Sequence, residues 1–227
     1  MCFTLVTIIM PPIDSVFFSM HSPIRLAVLI SGGGTTLQNF IEHIGGGRML
    51  AEIALVVSSN PTAFGIERAR AAGLPVAVIR REDFESAAPF SDAIFARCRE
   101  VEADLVACAG FLKLLKIPAD FAGRVMNIHP ALLPAFGGKG MYGHRVHEAV
   151  LESGARVSGC TVHFVDDHYD HGPIILERTV PVLDDDTPES LAARVFEQEC
   201  AAFPEAIRLF AAGQLEISGG RVRGKSV

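Results

Sequence analysis

One short stretch carries residue types spaced for chemistry. In Val125-Met126-Asn127-Ile128-His129-Pro130 an amide and an imidazole stand two apart at the end of an apolar run. Side chains two apart on a strand share a face, so Asn127 and His129 would face one side and Ile128 the other. Pro130 stops the strand and leaves both polar groups at its carboxyl end, the edge where open α/β sheets bind ligands. An amide donor beside an imidazole suits a reaction in which negative charge grows on an oxygen while a proton moves. Two polar residues could equally close a strand by bonding to nearby backbone, and the stretch alone leaves both readings open.

Other stretches carry complementary chemistry. Ile24 to Ile30 reads as a buried strand and runs into Ser31-Gly32-Gly33-Gly34-Thr35-Thr36-Leu37-Gln38, followed by a helical pattern through Phe40, Ile41 and Ile44. Strand, glycine turn and helix together hold a phosphate: glycines let the backbone approach, and the first helical amides donate at the positive end of the dipole. The turn is no Walker A motif, and Leu37 stands where G-x-G-x-x-G needs its last glycine, which favours a phosphate ester over a dinucleotide. On the last long helical pattern, Glu199 falls on the apolar stripe of Leu191, Val195, Ala202, Ala206 and Leu209. A carboxylate there must find donors, so it is either a buried structural partner or a hook for a ligand. Asp166-Asp167-His168-Tyr169-Asp170-His171 gathers acids and histidines, and His144 and His147 stand three apart. Such groups can bind zinc, but an acid-rich loop with scattered histidines is more commonly solvated, and no metal is expected. His163, inside a strand, reads as a satisfied buried histidine.

The elements that must position these groups follow from periodicity. Five strands, starting near Ile24, Ile53, Val76, Asp104 and Val125, alternate with helical patterns, and strands from Val157 and Ile174 precede a helix opened by Thr187-Pro188. The expected fold class is α/β: a Rossmann-like, mainly parallel twisted sheet with helices on both faces. Ala135 to Gly143 is expected to be a mobile surface loop. The 227 residues suit one domain, taken as 20–227, with 1–19 a weakly ordered extension or a mis-assigned start. A hydrophobic content of 49% and a charged content of 20% mark a globular chain. A net charge of −6 with no Lys/Arg block argues against nucleic acid partners, and no apolar run is long enough for a membrane span. Five cysteines, an odd number with no C-x-x-C pair, suit reduced thiols and a cytoplasmic location.

In this order the motifs resemble those of the phosphoribosylglycinamide formyltransferases, from about Ile24 to Arg223. The resemblance rests on Leu29-Ile30-Ser31-Gly32 and its turn, Ser59-Asn60 with Ala63 to Ala69, Ala109-Gly110-Phe111-Leu112-Lys113, Asn127-Ile128-His129-Pro130 with Leu132-Leu133-Pro134, Val162 to Val165, and Asp170 with Gly172-Pro173. It implies transfer of a formyl group from 10-formyltetrahydrofolate to the amine of 5'-phosphoribosylglycinamide. Asn127 and His129 would then stabilise the tetrahedral oxyanion, and Asp170 would orient and charge the histidine. Gly34, Thr35 and Thr36 match phosphate-binding positions, and Glu199 the ribose-binding one. Leu112, Lys113, Leu114 and Leu115, with Asn127 and the loop Asp166, Asp167, His168, Tyr169 and Asp170, match the folate pocket. Lys113 and Ala87 stand where arginine is common, and the loop after Pro134 is longer than usual. The partners implied are small molecules, with a monomer or homodimer expected. Relatives acting on methionyl-tRNA would bring a further domain and basic surface, and formyltetrahydrofolate deformylases an amino-terminal domain. Sugar-nucleotide N-formyltransferases are the alternative enzymes, and a phosphate-binding module without catalysis would have no use for Asn127, His129 and Asp170 together.

Overall fold

The computed structural model describes residues 22–224. The extension read at 1–19 lies outside the described residues. From the amino end run β1 (Ile24–Ile30), α1 (Thr35–Gly45), β2 (Ala51–Ser58), α2 (Phe64–Ala71), β3 (Val76–Val78), α3 (Ala87–Glu100) and β4 (Leu105–Cys108). Then come β5 (Val125–His129), α4 (His144–Glu152), β6 (Val157–Phe164), β7 (Ile174–Pro181), α5 (Pro188–Ala211), and a hairpin of β8 (Leu215–Ser218) and β9 (Arg221–Gly224).

Seven strands form one sheet in the order β3-β2-β1-β4-β5-β6-β7. The first five are mutually parallel, and β6 and β7 are antiparallel to their neighbours. β1 is buried on both faces, and its alternation sorts its side chains between two cores. Leu26, Val28 and Ile30 pack with Phe40 of α1, Ile66 of α2, Val150 of α4 and Val195 of α5. Ala27 and Leu29 pack on the other face with Phe90, Ile94 and Phe95 of α3. The expectation of helices on both faces holds, four on one and one on the other. Phe40 meets Phe203 edge to face at 5.1 Å across α1 and α5; fully burying such a ring contributes about 2–3 kcal/mol.

α5 starts as its residues require. The Thr187 side chain accepts from the Ser190 amide, the Ser190 side chain accepts in return from the Thr187 amide, and Pro188 takes the first turn, where no N–H is needed. Pro204 inside the helix has no N–H to offer the Cys200 carbonyl. Asn39 of α1 donates its amide to that carbonyl at 3.0 Å, which ties the two helices together beside Glu199. On the inward stripe Leu191, Val195, Ala202 and Ala206 are buried as expected, but Phe203 and Ile207 join them while Leu209 is only partly covered. The β8–β9 hairpin was not anticipated.

In this strand order the connections reverse direction between β1 and β4, so the carboxyl ends of these strands and of β5 open onto one crevice. Among the described residues no helix is long and apolar enough to cross a membrane.

Candidate active site

The turn after β1 is held by close backbone packing. Gly34, the residue before α1, sits at φ 70, a left-handed conformation that costs a side chain about 1–2 kcal/mol. A Cβ there would also lie 2.6 Å from the Gly65 Cα, so only glycine lets α1 and α2 approach. Gly65 donates to the Gly32 carbonyl at 3.0 Å, and Arg68 donates through Nε to the Gly33 carbonyl at 2.9 Å. No side chain caps α1 and no acid sits in its first turn, so its amides and positive dipole end remain uncompensated, as an anion site requires.

At the end of β5, His129 is almost fully buried and Asp170 nearly so. Nε2 of His129 donates to the Phe136 carbonyl at 2.8 Å, and Nδ1 lies 3.5 Å from Asp170 Oδ2. Both facing groups accept only, so a doubly protonated ring would satisfy both. Burial nevertheless outweighs the attraction of Asp170 and moves the His129 pKa below its ordinary 6.5. The resting ring is therefore neutral at pH 7. The attraction expected of Asp170 is present, but desolvation of a buried cation opposes it and is the larger effect in the resting ring. Burial pushes the Asp170 carboxyl up, but His163, His129 and the Gly138 amide together hold it below the ordinary value, so it is ionised. Gly138 donates to Oδ2 at 2.9 Å. His163 Nε2 stands 3.8 Å from Oδ1, too far for a hydrogen bond.

The Asn127 amide nitrogen lies 3.2 Å from His163 Nε2 and 3.4 Å from Asp170 Oδ1. His163 gives its Nδ1 proton to the Phe164 carbonyl at 2.8 Å, so its Nε2 accepts from Asn127. The longer bond to Asp170 is the weaker, and its hydrogen is the one free to turn toward an oxyanion. His163 thus orients the amide, as a satisfied buried histidine. Asp170 itself has φ 51, an uncommon conformation for a non-glycine residue and one that recurs at functional positions.

These groups border two hollows. A cavity of about 540 Å³ is lined by Thr35, Thr36, Leu112, Asn127, His129, Asp170 and Glu199. A narrow slot of about 50 Å³ is lined by Lys113, Leu114, Leu115, Asp166, His168 and His163. Phe111, Asn127, Tyr169 and Asp170 belong to both walls. Gly34 supports the turn without lining either hollow. Leu112 faces the cavity and not the slot, and Leu115 is 3% exposed and part of the core beneath the slot. Asp167 departs from expectation: its carboxylate accepts from the Ile117 amide at 3.0 Å and from Lys116 at 3.4 Å, away from the slot. The Glu199 carboxylate has no hydrogen bond among the described residues, and burial pushes its pKa up to about 7. The loop after Pro134 lines the cavity and bonds to both His129 and Asp170, so it is part of the site. Sequence reading missed the Phe136 carbonyl, and it took His147 only as one of a histidine pair that could bind zinc. That histidine is buried on the cavity wall with Nδ1 unpartnered, and burial, with its neighbours His144 and His129, pushes its pKa down to about 4.

A buried imidazole and a carboxylate thus stand beside the wall shared by a cavity at the head of α1 and a narrow slot. Residues 24–207 match the family model of the formyl transferases, and the chain belongs to that family. Among its relatives are phosphoribosylglycinamide formyltransferases. The chain is 43% identical over 196 residues to the chloroplastic phosphoribosylglycinamide formyltransferase of Arabidopsis thaliana, covering 83% of this chain and 66% of that protein. It is 38% identical over 195 residues to the phosphoribosylglycinamide formyltransferase of Haemophilus influenzae, covering 85% of this chain and 90% of that protein. The crystal structure of glycinamide ribonucleotide transformylase 1 from Symbiobacterium toebii superposes with a TM-score of 0.84 at 42% identity, covering 94% of this chain and 99% of that one. The chain thus spans just under two thirds of its Arabidopsis relative and nearly all of the two bacterial ones.

Proposed function

We propose that this protein transfers the formyl group of 10-formyltetrahydrofolate to the amine of 5'-phosphoribosylglycinamide, the reaction by which purine synthesis makes formylglycinamide ribonucleotide. The observation that carries this reading is the shared wall: Asn127 and Asp170 border both the cavity and the slot, with His129 buried beside them. The ribonucleotide fits the cavity, its phosphate at the first amides of α1 with Thr35 and Thr36, and its ribose hydroxyls on Glu199. The folate ring is assigned to the slot side of the wall, along Leu114, Leu115 and the Asp166–Asp170 loop, where the slot of about 50 Å³ must widen to admit it. A donor and an acceptor placed on either side of one wall meet at the reacting atoms, which saves the entropy of a bimolecular encounter.

The neutral resting state of His129 sets its part. The amine nitrogen attacks the formyl carbon, whose oxygen takes the electron pair, and the amide of Asn127 donates to that oxyanion. His129 accepts the ammonium proton at Nδ1, next to Asp170. The imidazolium so formed satisfies both the Phe136 carbonyl and the Asp170 carboxylate, so the low resting basicity of the ring is offset when negative charge appears nearby. Collapse breaks the bond to the folate nitrogen, which receives a proton from His129, giving the formamide and tetrahydrofolate. The free thiols Cys98, Cys108, Cys160 and Cys200 support a cytoplasmic location.

His129→Ala tests the assignment. Turnover should fall by about 10²–10⁴, the usual contribution of a general acid–base, while calorimetry finds ribonucleotide binding within a few-fold of the parent. Unchanged turnover, or loss of binding as deep as loss of rate, would remove His129 from the reaction.

A further inference from the structure

The loop between β6 and β7 brings together three metal-ligating side chains that take no part in the proton transfer. Asp166, His168 and His171 each offer a ligand atom, and all three atoms lie within 4.8 Å of one another. The carboxylate of Asp166 divides between the histidines: Oδ2 is 2.6 Å from His171 Nδ1, and Oδ1 is 3.7 Å from His168 Nδ1. Both imidazoles are largely exposed, at 74% for His168 and 70% for His171, so their open sides face water. We propose that Asp166, His168 and His171 bind a divalent transition-metal ion of the zinc class at the rim of the slot.

The chemistry of the ligand set selects the ion. Two imidazole nitrogens and one carboxylate oxygen suit Zn²⁺, Co²⁺, Ni²⁺ or Cu²⁺, whereas Mg²⁺ and Ca²⁺ prefer all-oxygen shells. With bonds of about 2.0–2.1 Å, ligands in a tetrahedral shell stand about 3.3 Å apart. The Asp166–His171 pair must therefore open, and the wider pairs close, each by about an ångström or so, within reach of rotamer changes in exposed side chains. The fourth position is left to water.

The backbone that carries these ligands is already set. The His168 amide donates to Asp166 Oδ1 at 2.8 Å, which shapes the turn. Asp167, between the first two ligands, is tied to the Ile117 amide. A Cβ on Gly172 would lie 1.9 Å from the Phe164 carbonyl oxygen, so the chain after His171 runs tightly against the end of β6. The pairing of Asp166 with His171 and the turn that sets His168 beside the other oxygen leave two imidazoles around one carboxylate. Asp166 and His168 also line the slot, so a bound ion would hold one wall of it. The site shares its loop with the slot assigned to the folate ring, but its test needs neither substrate.

The full chain, purified without a histidine tag and stripped with chelator, is titrated with Co²⁺ while its d–d absorption is followed, and then with competing Zn²⁺. The expected result is one equivalent bound, displaced by Zn²⁺. His168→Ala and His171→Ala should each weaken binding at least tenfold, while His144→Ala, outside the loop, leaves it unchanged. Circular dichroism checks that each exposed-site variant folds. Absence of a Co²⁺ band, or a band of unchanged affinity in the folded H168A/H171A double variant, would overturn the proposal.

Discussion

Replacing Glu199 with glutamine separates what this residue does for the fold from what it does for a ligand. Burial lifts its carboxyl from an ordinary 4.5 to about 7 with no cation to offset it. At ~1.36 kcal/mol per tenfold change in proton affinity, ionising it in the folded state costs at most about 3 kcal/mol. The cavity is open to water, so about 1–2 kcal/mol is the working figure. The sign follows from linkage: between 4.5 and 7 the unfolded chain gives up this proton first, so stability falls as pH rises through that window and the penalty is full above it. At pH 8 E199Q should therefore be the more stable protein, with a Tm higher by roughly 2–8 °C for a chain of this size. At pH 5 only about a quarter of the difference should remain. The same change removes a charged acceptor for ribose hydroxyls, and KM for the ribonucleotide should rise about tenfold or more. Calorimetric melting at both pH values, with steady-state kinetics, reads both effects. A Tm difference of the same size at pH 5 and pH 8, or a lower Tm at pH 8, would show that Glu199 has an internal partner and refute the reasoning.

Other expectations follow from the same contacts. Gly34→Ala meets the Gly65 backbone and a left-handed φ together; it should cost about 2–4 kcal/mol in denaturant unfolding and weaken inorganic phosphate binding more than folate binding. Asn39→Leu leaves the Cys200 carbonyl unpaired beside Pro204, a loss of about 1–3 kcal/mol that thermal melting would register. The neutral ring of His129 is the active form, so the acid limb of kcat/KM should be centred below the ordinary imidazole value of 6.5. An acid limb centred above pH 6.5 would contradict that order of effects. Burial pushes the Cys98, Cys108 and Cys160 thiols up to about 12, so thiol reagents at pH 8 should leave them unmodified until the chain unfolds.

Much of the site was legible because its residues obey local rules. β1 is an unbroken apolar run ended by a glycine turn, and Asn127 and His129 sit two apart before a proline, so both their face and their edge could be derived. Glu199 stood out as a carboxylate on an apolar stripe. What escaped depends on tertiary approach. The Phe136 carbonyl that engages His129 is a backbone group and leaves no mark in residue type. Asp166 and Asp167 are adjacent acids, and only the packed loop shows that one lines the slot while the other bonds to Ile117. The neutral state of His129 turns on burial exceeding a nearby charge, a balance that spacing does not contain. The β8–β9 hairpin did carry a signal, Gly219-Gly220 between two short alternating runs, which is the composition of a two-residue hairpin turn. Its strands are short and mostly exposed, so no strong hydrophobic pattern announced them.

The most direct test of formyl transfer is the release of tetrahydrofolate from 10-formyltetrahydrofolate by the purified protein, with and without 5'-phosphoribosylglycinamide. Release that requires the amine, with one formamide formed per folate released, is the predicted result. Release at the same rate without the amine would make the protein a hydrolase of the formyl donor and contradict the central claim.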